Sequence, residues 1–229
     1  GVDELIYYMF SDRHRQKPDP DRRYDRIYIG GDYGQQNATT FEAFGLDTYR
    51  KKFPGLGEYY HSGRESGRQK SPSEYARDLV EFMDELHEQY ENRIFYIFLD
   101  PSAKGLAEEV KRATRTGLDY QVLLRDAEND VALGISRVQK ALVFDIMSIS
   151  PKQEYAVQEF GTYEYDKKSI EKGKEVPVKE ADHCMDAIRY VVMGAWSKIK
   201  HWLPKDETPE EIDICDISSR EVREEDEYL

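Results

Sequence analysis

The sequence predicts an α/β protein in which helices cover a mixed β-sheet. The segment Arg26–Gly30 alternates apolar side chains, which is typical of a strand with one face turned to the core. The segment Ile94–Leu99 is a continuous apolar run, which is typical of a strand that is buried on both faces. Between them, Ser71 and Glu74 form a capping box, and apolar residues follow at helical spacing. Strands that alternate with helices predict a sheet with parallel crossovers.

The remaining elements follow from the same patterns. Strands are expected at residues 26–30, 39–47, 58–63, 94–99 and 120–124, with a turn at 51–57. Helices are expected at residues 71–90, 103–116, 131–142 and 182–199. A β-hairpin with a charged middle is expected over 159–180. The first three strands are predicted to be antiparallel, and the later strands to be parallel to the first.

The chain has three expected parts. Residues 1–23 are interpreted as a linker remnant, residues 24–203 as one globular domain and residues 204–229 as an acidic tail. No stretch approaches the roughly 20 apolar residues of a membrane span, so no membrane partner is expected. The two cysteines make no disulfide framework, which indicates a reducing compartment.

The net charge of −13 argues against a nucleic-acid partner, but its distribution weakens that objection. The last 25 residues contain eleven Asp and Glu against three Lys and Arg. The other 204 residues therefore carry a net charge of only −5. Some of those acids are expected to be metal ligands, and bound divalent cations would offset their charge.

Two acids stand where strands are predicted to end. Asp32 follows the first strand and Asp100 follows the buried apolar run. Parallel neighbouring strands lie about 4.8 Å apart, so both carboxylates would reach one metal ion or a pair of ions at the same sheet edge. Simpler alternatives are a turn aspartate in a glycine-rich loop for Asp32 and a helix-start signal for Asp100. Ser102 can already serve as the N-cap residue of that helix, which weakens the alternative for Asp100.

A third cluster lies in the segment ADHCMDAIRY at the start of the last predicted helix. Asp182 is placed to cap the helix, and His183 and Asp186 share one helix face because they are three residues apart. Imidazole and carboxylate are suitable ligands for Mn²⁺ or Mg²⁺. The alternative for His183 is a helix-start residue that only forms a hydrogen bond.

The segments IYIGGDYG, FYIFLDPSA and ADHCMDAIRYV resemble the three acidic motifs of the nuclease domain of large terminase subunits of tailed bacteriophages. The predicted hairpin before the last helix resembles that family's connection into its catalytic helix. The resemblance covers residues 24–197, and its most specific part is the D-H-x-x-D-A-x-R-Y block. It implies an RNase H-like fold and an endonuclease that cuts concatemeric double-stranded DNA during genome packaging.

The resemblance also implies the site. Asp32, Asp100 and Asp186 take the roles of metal ligands, and His183 is a neighbour typical of the family. In two-metal hydrolysis, two Mg²⁺ or Mn²⁺ ions about 3.5–4 Å apart activate the attacking water and stabilise the leaving oxygen. Asp32 would bridge both ions, Asp100 and Asp186 would each hold one side, and His183 would complete the second site.

The family's ATPase motor has no counterpart in this sequence, since no G-x-x-x-x-G-K-[S/T] motif occurs. Residues 1–23 are therefore expected to have led from a missing N-terminal ATPase domain. The resemblance implies the phage portal and the small terminase subunit as partners, and the host bacterial cytoplasm as the location. Basic side chains on either side of the site are candidate DNA contacts: Arg64, Arg68, Lys70, Lys167, Lys168, Lys172 and Lys174.

Two other classes of function stay open at this point. A G-D-x-G turn after a first strand also occurs in ATPase and sugar-kinase domains that bind phosphate, and ATP binding would favour that class. A non-catalytic docking module with purely structural acids would bind no divalent ions. An exonuclease of the same fold would usually carry a D-x-E first motif, but Tyr33 and Gly34 follow Asp32.

Overall fold

A computed structural model describes residues 4–207, which form a six-stranded sheet covered by helices on both faces. The strand order is β5-β4-β1-β2-β3-β6. The strands are β1 (Arg26–Asp32), β2 (Ala38–Gly45), β3 (Phe53–Ser62), β4 (Ile94–Leu99), β5 (Gln121–Asp126) and β6 (Met147–Ser148).

Four longer helices and three short ones accompany this sheet in the described range. They are α1 (Gly63–Ser66), α2 (Pro72–Tyr90), α3 (Lys104–Ala113), α4 (Val131–Val143), α5 (Glu154–Phe160), α6 (Lys167–Glu171) and α7 (His183–Ile199). The predicted capping box at Ser71 is confirmed at the start of α2. Over residues 4–207, no helix combines the length and the apolar character needed to cross a membrane.

The predicted sheet topology is confirmed. β1, β2 and β3 pair antiparallel in chain order, and β4 pairs parallel with β1 on its other side. β5 extends the parallel half of the sheet beyond β4. The register pairs Gly31 of β1 with Leu99 of β4, so both strands end at the same edge.

The sheet separates two hydrophobic cores, and the alternation along β1 supplies both of them. Ile27 and Ile29 are fully buried against α2 and α3, whereas Tyr28 packs on the other face with residues of α4 and α7. Gly30 lets α7 lie directly on β1, because a Cβ there would sit 1.9 Å from the Ala187 carbonyl oxygen. The last helix is therefore held against the strand that carries Asp32.

Two local predictions are corrected. Residues 51–57 were expected to be a turn, but β3 begins at Phe53, and Phe53 and Leu56 are buried. The predicted hairpin over 159–180 folds back on itself through a single antiparallel bridge, Tyr165 with Pro177, in place of a regular ladder. Pro177 has no N–H to donate, and the Lys- and Glu-rich middle of the segment forms α6 instead.

The helix over 103–116 ends at Ala113, earlier than expected. Gly117 has the expected left-handed backbone, but it lies in the turn that leads to β5. Neither α5 nor β6 was predicted, because both are too short for a periodic pattern to show.

The first described residues pack on the domain. Ile6 and Tyr7 are buried, and the buried imidazole of His14 lies 2.7 Å from the carbonyl oxygen of Leu142. The division into a linker remnant, a nuclease domain and a tail stays a prediction. Most of the predicted acidic tail lies outside the described residues.

Candidate metal centre

Asp32 and Asp100 come together at the sheet edge as the sequence predicted. Each follows the paired residues Gly31 and Leu99 by one position, and their strands are parallel neighbours. Strand spacing alone brings their backbones to about 5 Å from each other. The two carboxylates therefore stand side by side at the carboxyl ends of the central strands.

Three hydrogen bonds hold the Asp100 carboxylate. It accepts from the Ser102 backbone N–H at 2.8 Å, from the Tyr190 hydroxyl at 3.0 Å and from the Asn129 amide at 3.3 Å. Burial raises the pKa of Asp100, but the bonds from Ser102 and Tyr190 outweigh it and the net pKa is lowered. Asp100 is thus fixed and ionised. Ser102 does not cap α3, whose N-cap residue is Ala103.

His183 pairs with Asp32. Its Nδ1 donates to Oδ2 of Asp32 at 3.0 Å, and the two side chains are only 21% and 17% exposed. Burial raises the pKa of Asp32, partly offset by this hydrogen bond. The same bond is the main reason why the pKa of His183 is raised. Because Nδ1 is engaged, Nε2 is the imidazole nitrogen that remains for a metal ion.

Asp186 lies one helical turn after His183 and accepts a hydrogen bond at 3.1 Å from Arg189. Burial, followed by the charges of Asp32 and Asp182, raises the pKa of Asp186 to about 7. Crowded, half-buried carboxylates favour a divalent cation, because a cation removes the repulsion between them. Their hard oxygen donors fit Mg²⁺ or Mn²⁺.

The amino end of α7 is held by a residue that the sequence does not predict. Asp182 occupies the N-cap position as predicted, but its side chain makes no capping hydrogen bond. The buried carboxylate of Glu159 instead accepts from the backbone N–H groups of Cys184 and Met185, at 2.9 and 3.3 Å. Glu159 lies 25 residues from Cys184 in sequence, so no local pattern could have revealed this cap.

A second long-range cap supports the first. Glu58 of β3 accepts from the backbone N–H groups of Tyr155 and Ala156, at 2.9 and 3.0 Å, in the first turn of α5. Helix α5 carries Glu159 near its end. The sheet therefore orients α5, and α5 in turn orients the helix that bears His183 and Asp186.

A trio of potential ligands, two of them buried, lies near this end of α7. Among the described residues, only Glu42, Glu58 and Cys184 bring three potential ligand atoms within 4.8 Å of one another. Glu42 is fully buried, accepts from Gln153 at 3.3 Å, and has a pKa raised well above its usual value by burial. Cys184 is buried, and its thiol pKa is raised by burial. We interpret the trio as a structural cluster that helps to hold the two caps, Glu159 on α7 and Glu58 on α5.

Two open clefts flank the carboxylates. One, of about 760 Å³, is lined by Asp32, His183 and Asp186 and also by Arg64 and Lys179. The other, of about 610 Å³, lies beside Asp100 and is lined by three further cations: Lys104, Lys111 and Arg125. Arg64 was predicted from the sequence, but these three cations were not, because they become a group only when α3 packs beside β5.

The other predicted DNA contacts lie in different settings. Arg68 forms an ion pair with Glu74, Lys70 with Asp78, and Lys167 with Glu4. Three more lysines are exposed in and after α6: Lys168, Lys172 and Lys174. The assignment of the seven basic residues to DNA stays a prediction.

Known structures share this arrangement of strands and helices. The large terminase of a thermophilic bacteriophage, solved in complex with ATP-gamma-S, matches 82% of this chain at 33% sequence identity, with a TM-score of 0.71. The chain resembles the large terminases in sequence and in fold. It spans less than half of that terminase, 45% of its length. No family model matches the chain, and neither does any curated protein.

Isolated terminase nuclease domains match over nearly their whole length. That of phage P22 is 16% identical, with a TM-score of 0.61, over 83% of this chain and 92% of its own. That of the thermophilic phage G20c, solved with bound magnesium, is 17% identical, with a TM-score of 0.54, over 82% and 96%. The predicted RNase H-like fold is thereby confirmed.

Proposed function

We propose that this chain is the nuclease domain of a phage large terminase, a divalent-metal-dependent endonuclease that cuts concatemeric double-stranded DNA during packaging. The observation that carries the proposal is the convergence of Asp32, Asp100 and Asp186 at the carboxyl edge of an RNase H-like sheet. The magnesium in the G20c domain and the 33% identity with the terminase solved with ATP-gamma-S support it.

Each side chain has a distinct task in this proposal. Asp32 would bridge two Mg²⁺ or Mn²⁺ ions, Asp100 and Asp186 would each hold one side, and His183 would offer Nε2 to the second site. Bound ions of this kind supply an activated water and stabilise the leaving oxygen. Tyr190 and Ser102 keep Asp100 oriented and ionised.

The two clefts suggest a path for the DNA backbone on either side of the carboxylates. Arg64 and Lys179 line the cleft on the Asp32 side, and cations of α3 and β5 line the cleft on the Asp100 side. Acidic side chains line both clefts as well, so phosphate binding is expected to be weak without metal. We expect cutting with little sequence preference.

The larger assembly is part of the same proposal. The similar terminase was solved in complex with ATP-gamma-S, and this chain matches less than half of it. An ATPase domain in the full chain, the portal and the small subunit as partners, and action in the host cytoplasm would follow from a role as a large terminase. A motor that holds the DNA would make weak intrinsic affinity sufficient.

The proposal is tested with three single variants, Asp32→Ala, Asp100→Ala and Asp186→Ala. Each is expected to abolish Mn²⁺-dependent plasmid cleavage and to weaken Mn²⁺ binding in calorimetry, with the fold retained. Glu88→Ala is the control, because Glu88 is an exposed acid on α2 that lines neither cleft. Wild-type cleavage by any of the three removes that residue from the site. Binding of ATP without binding of Mn²⁺ would favour the kinase-like class.

A further inference from the structure

A chain of hydrogen bonds joins two of the proposed ligands through Asn129, which lies outside the acidic motifs, and Arg189, which follows Asp186 in the third motif. Asn129 lies in the loop between β5 and α4, and its amide nitrogen donates to Oδ2 of Asp100 at 3.3 Å. The carbonyl oxygen of the same side chain accepts from the Arg189 guanidinium at 2.8 Å. Another guanidinium nitrogen of Arg189 donates to Oδ1 of Asp186 at 3.1 Å.

The fold makes a dedicated space for Arg189. Its side chain is only 4% exposed, although a guanidinium is costly to bury without partners. Gly134 of α4 provides the room, because a Cβ at that position would lie 2.3 Å from Cγ of Arg189. Helix α4 is thus shaped to hold the guanidinium between Asn129 and Asp186.

We propose that Asn129 and Arg189 are positioning residues that set the Asp100 and Asp186 carboxylates in relation to each other. The inference rests on the proposed function, in which these acids hold different sides of the metal centre. Asp100 follows β4 and Asp186 lies on α7, so the two acids belong to different secondary-structure elements and their relative position depends on side-chain contacts. Like charges in so small a site repel, and the Asn129–Arg189 bridge opposes that repulsion.

The bridge leaves both acids able to bind metal. A carboxylate has about four lone-pair positions, so the hydrogen bonds described for each acid do not exhaust its acceptor capacity. Hydrogen bonds to metal-binding carboxylates orient them before the ion arrives, and losing such a partner typically costs 10–100-fold in metal affinity or activity. Asn129 therefore acts on the metal requirement of the reaction and does not contact the reacting atoms.

The test is the Asn129→Ala variant, because Asn129 is exposed and its loss should leave the fold intact. We expect the Mn²⁺ concentration for half-maximal plasmid cleavage to rise about 10–100-fold. The domain should stay folded with a small drop in its thermal unfolding midpoint, because Arg189 loses one partner but keeps its hydrogen bond to Asp186. Asn129→Gln keeps the carbonyl acceptor and the N–H donor of the side-chain amide, so it should recover part of the lost Mn²⁺ affinity. Glu128→Ala, an exposed neighbour in the same loop, is the control and should resemble the wild type.

Arg189→Lys gives a second arm. Lysine keeps the positive charge but lacks the planar fork that reaches Asn129 and Asp186 together. We expect the Mn²⁺ requirement to rise here too, and the electron paramagnetic resonance spectrum of bound Mn²⁺ to change.

The outcomes separate the two proposals. If Asn129→Ala binds Mn²⁺ like Glu128→Ala while Asp186→Ala does not bind it, the positioning role is wrong and the metal centre stands. If all three variants, Asp32→Ala, Asp100→Ala and Asp186→Ala, also bind Mn²⁺ like the wild type, the proposed function itself is wrong. A raised Mn²⁺ requirement in Asn129→Ala, with partial recovery in Asn129→Gln, supports the bridge.

Discussion

Gly30 is the point at which β1 meets the backbone of α7. A Cβ at Gly30 would lie 1.9 Å from the Ala187 carbonyl oxygen, so Gly30→Ala forces the helix away from the strand. Overpacking of this kind costs about 1–3 kcal/mol. We also expect weaker Mn²⁺ binding, because the shift separates His183 and Asp186 from Asp32. Denaturant unfolding and Mn²⁺ calorimetry measure the two effects.

Gly57→Ala is the matched control for that substitution. Gly57 also lies in a strand, but a Cβ there would meet its nearest neighbour, a ring carbon of Phe82, at an ordinary 3.4 Å. It should change Mn²⁺ affinity little. Equal losses of Mn²⁺ affinity in the two variants would show that the close approach of β1 and α7 does not set the geometry of the metal centre.

The placement of Asp32 and Asp100 was predictable from the sequence, because each acid stands at the end of a recognisable strand. Parallel pairing then brings strand ends together without further information. The bridge through Asn129 was not predictable, since its partners Asp100 and Arg189 lie 29 and 60 residues away in sequence. Such contacts depend on the packing of α4 against α7.

Among the elements, α7 depends on a cap supplied from another helix. Glu159→Ala leaves the buried N–H groups of Cys184 and Met185 without their acceptor. An unsatisfied buried donor costs about 1–3 kcal/mol, so we expect a lower free energy of unfolding and faster amide hydrogen exchange at the start of α7. Glu154→Ala is the control, because Glu154 is on the same helix but exposed. Unchanged exchange at Cys184 and Met185 would contradict this role for Glu159.

Elements with a strong local signal were predicted well, and those defined by tertiary contacts were not. The capping box and apolar stripe of α2 are local, and the helix begins where they indicate. β3 begins inside an apparent turn because Phe53 pairs with β6 and is buried, and neither fact is visible locally. Residues 159–180 alternate like strands, but Pro177 and the charged middle prevent a continuous ladder.

For the whole molecule, buried acids make the unfolding free energy depend on pH. Burial is the main cause that raises the pKa of Glu159 and of Asp186, each to about 7, and it also raises that of Glu42. The folded state therefore holds more protons than the unfolded state between about pH 4.5 and 7. The free energy of unfolding falls as pH rises through that window. The raised pKa of His183 acts in the same direction above pH 6.5.

We therefore expect the domain in EDTA to be more stable at pH 5 than at pH 8. The lowered pKa of Asp25, caused by its hydrogen bond with Arg93, matters only below about pH 4. Burial lowers the pKa of His61, which opposes the trend below about pH 6.5, but this one group does not outweigh the raised pKa values of Glu159, Asp186 and Glu42. Guanidinium unfolding at several pH values measures it. Glu159→Gln should flatten the dependence between pH 5 and 7, because that position no longer titrates. A free energy of unfolding that rises from pH 5 to pH 8 in EDTA would contradict the prediction.

Millimolar Mn²⁺ should reverse much of the loss at pH 8, because an ion that binds only the folded state stabilises it by mass action. At 100 times the dissociation constant this amounts to about 2.7 kcal/mol. The gain should disappear in Asp186→Ala, since that variant lacks one of the proposed ligands, and should persist in Glu159→Gln, where the metal centre retains all of its acids. An equal Mn²⁺ gain in Asp186→Ala would place the stabilising ion elsewhere on the protein.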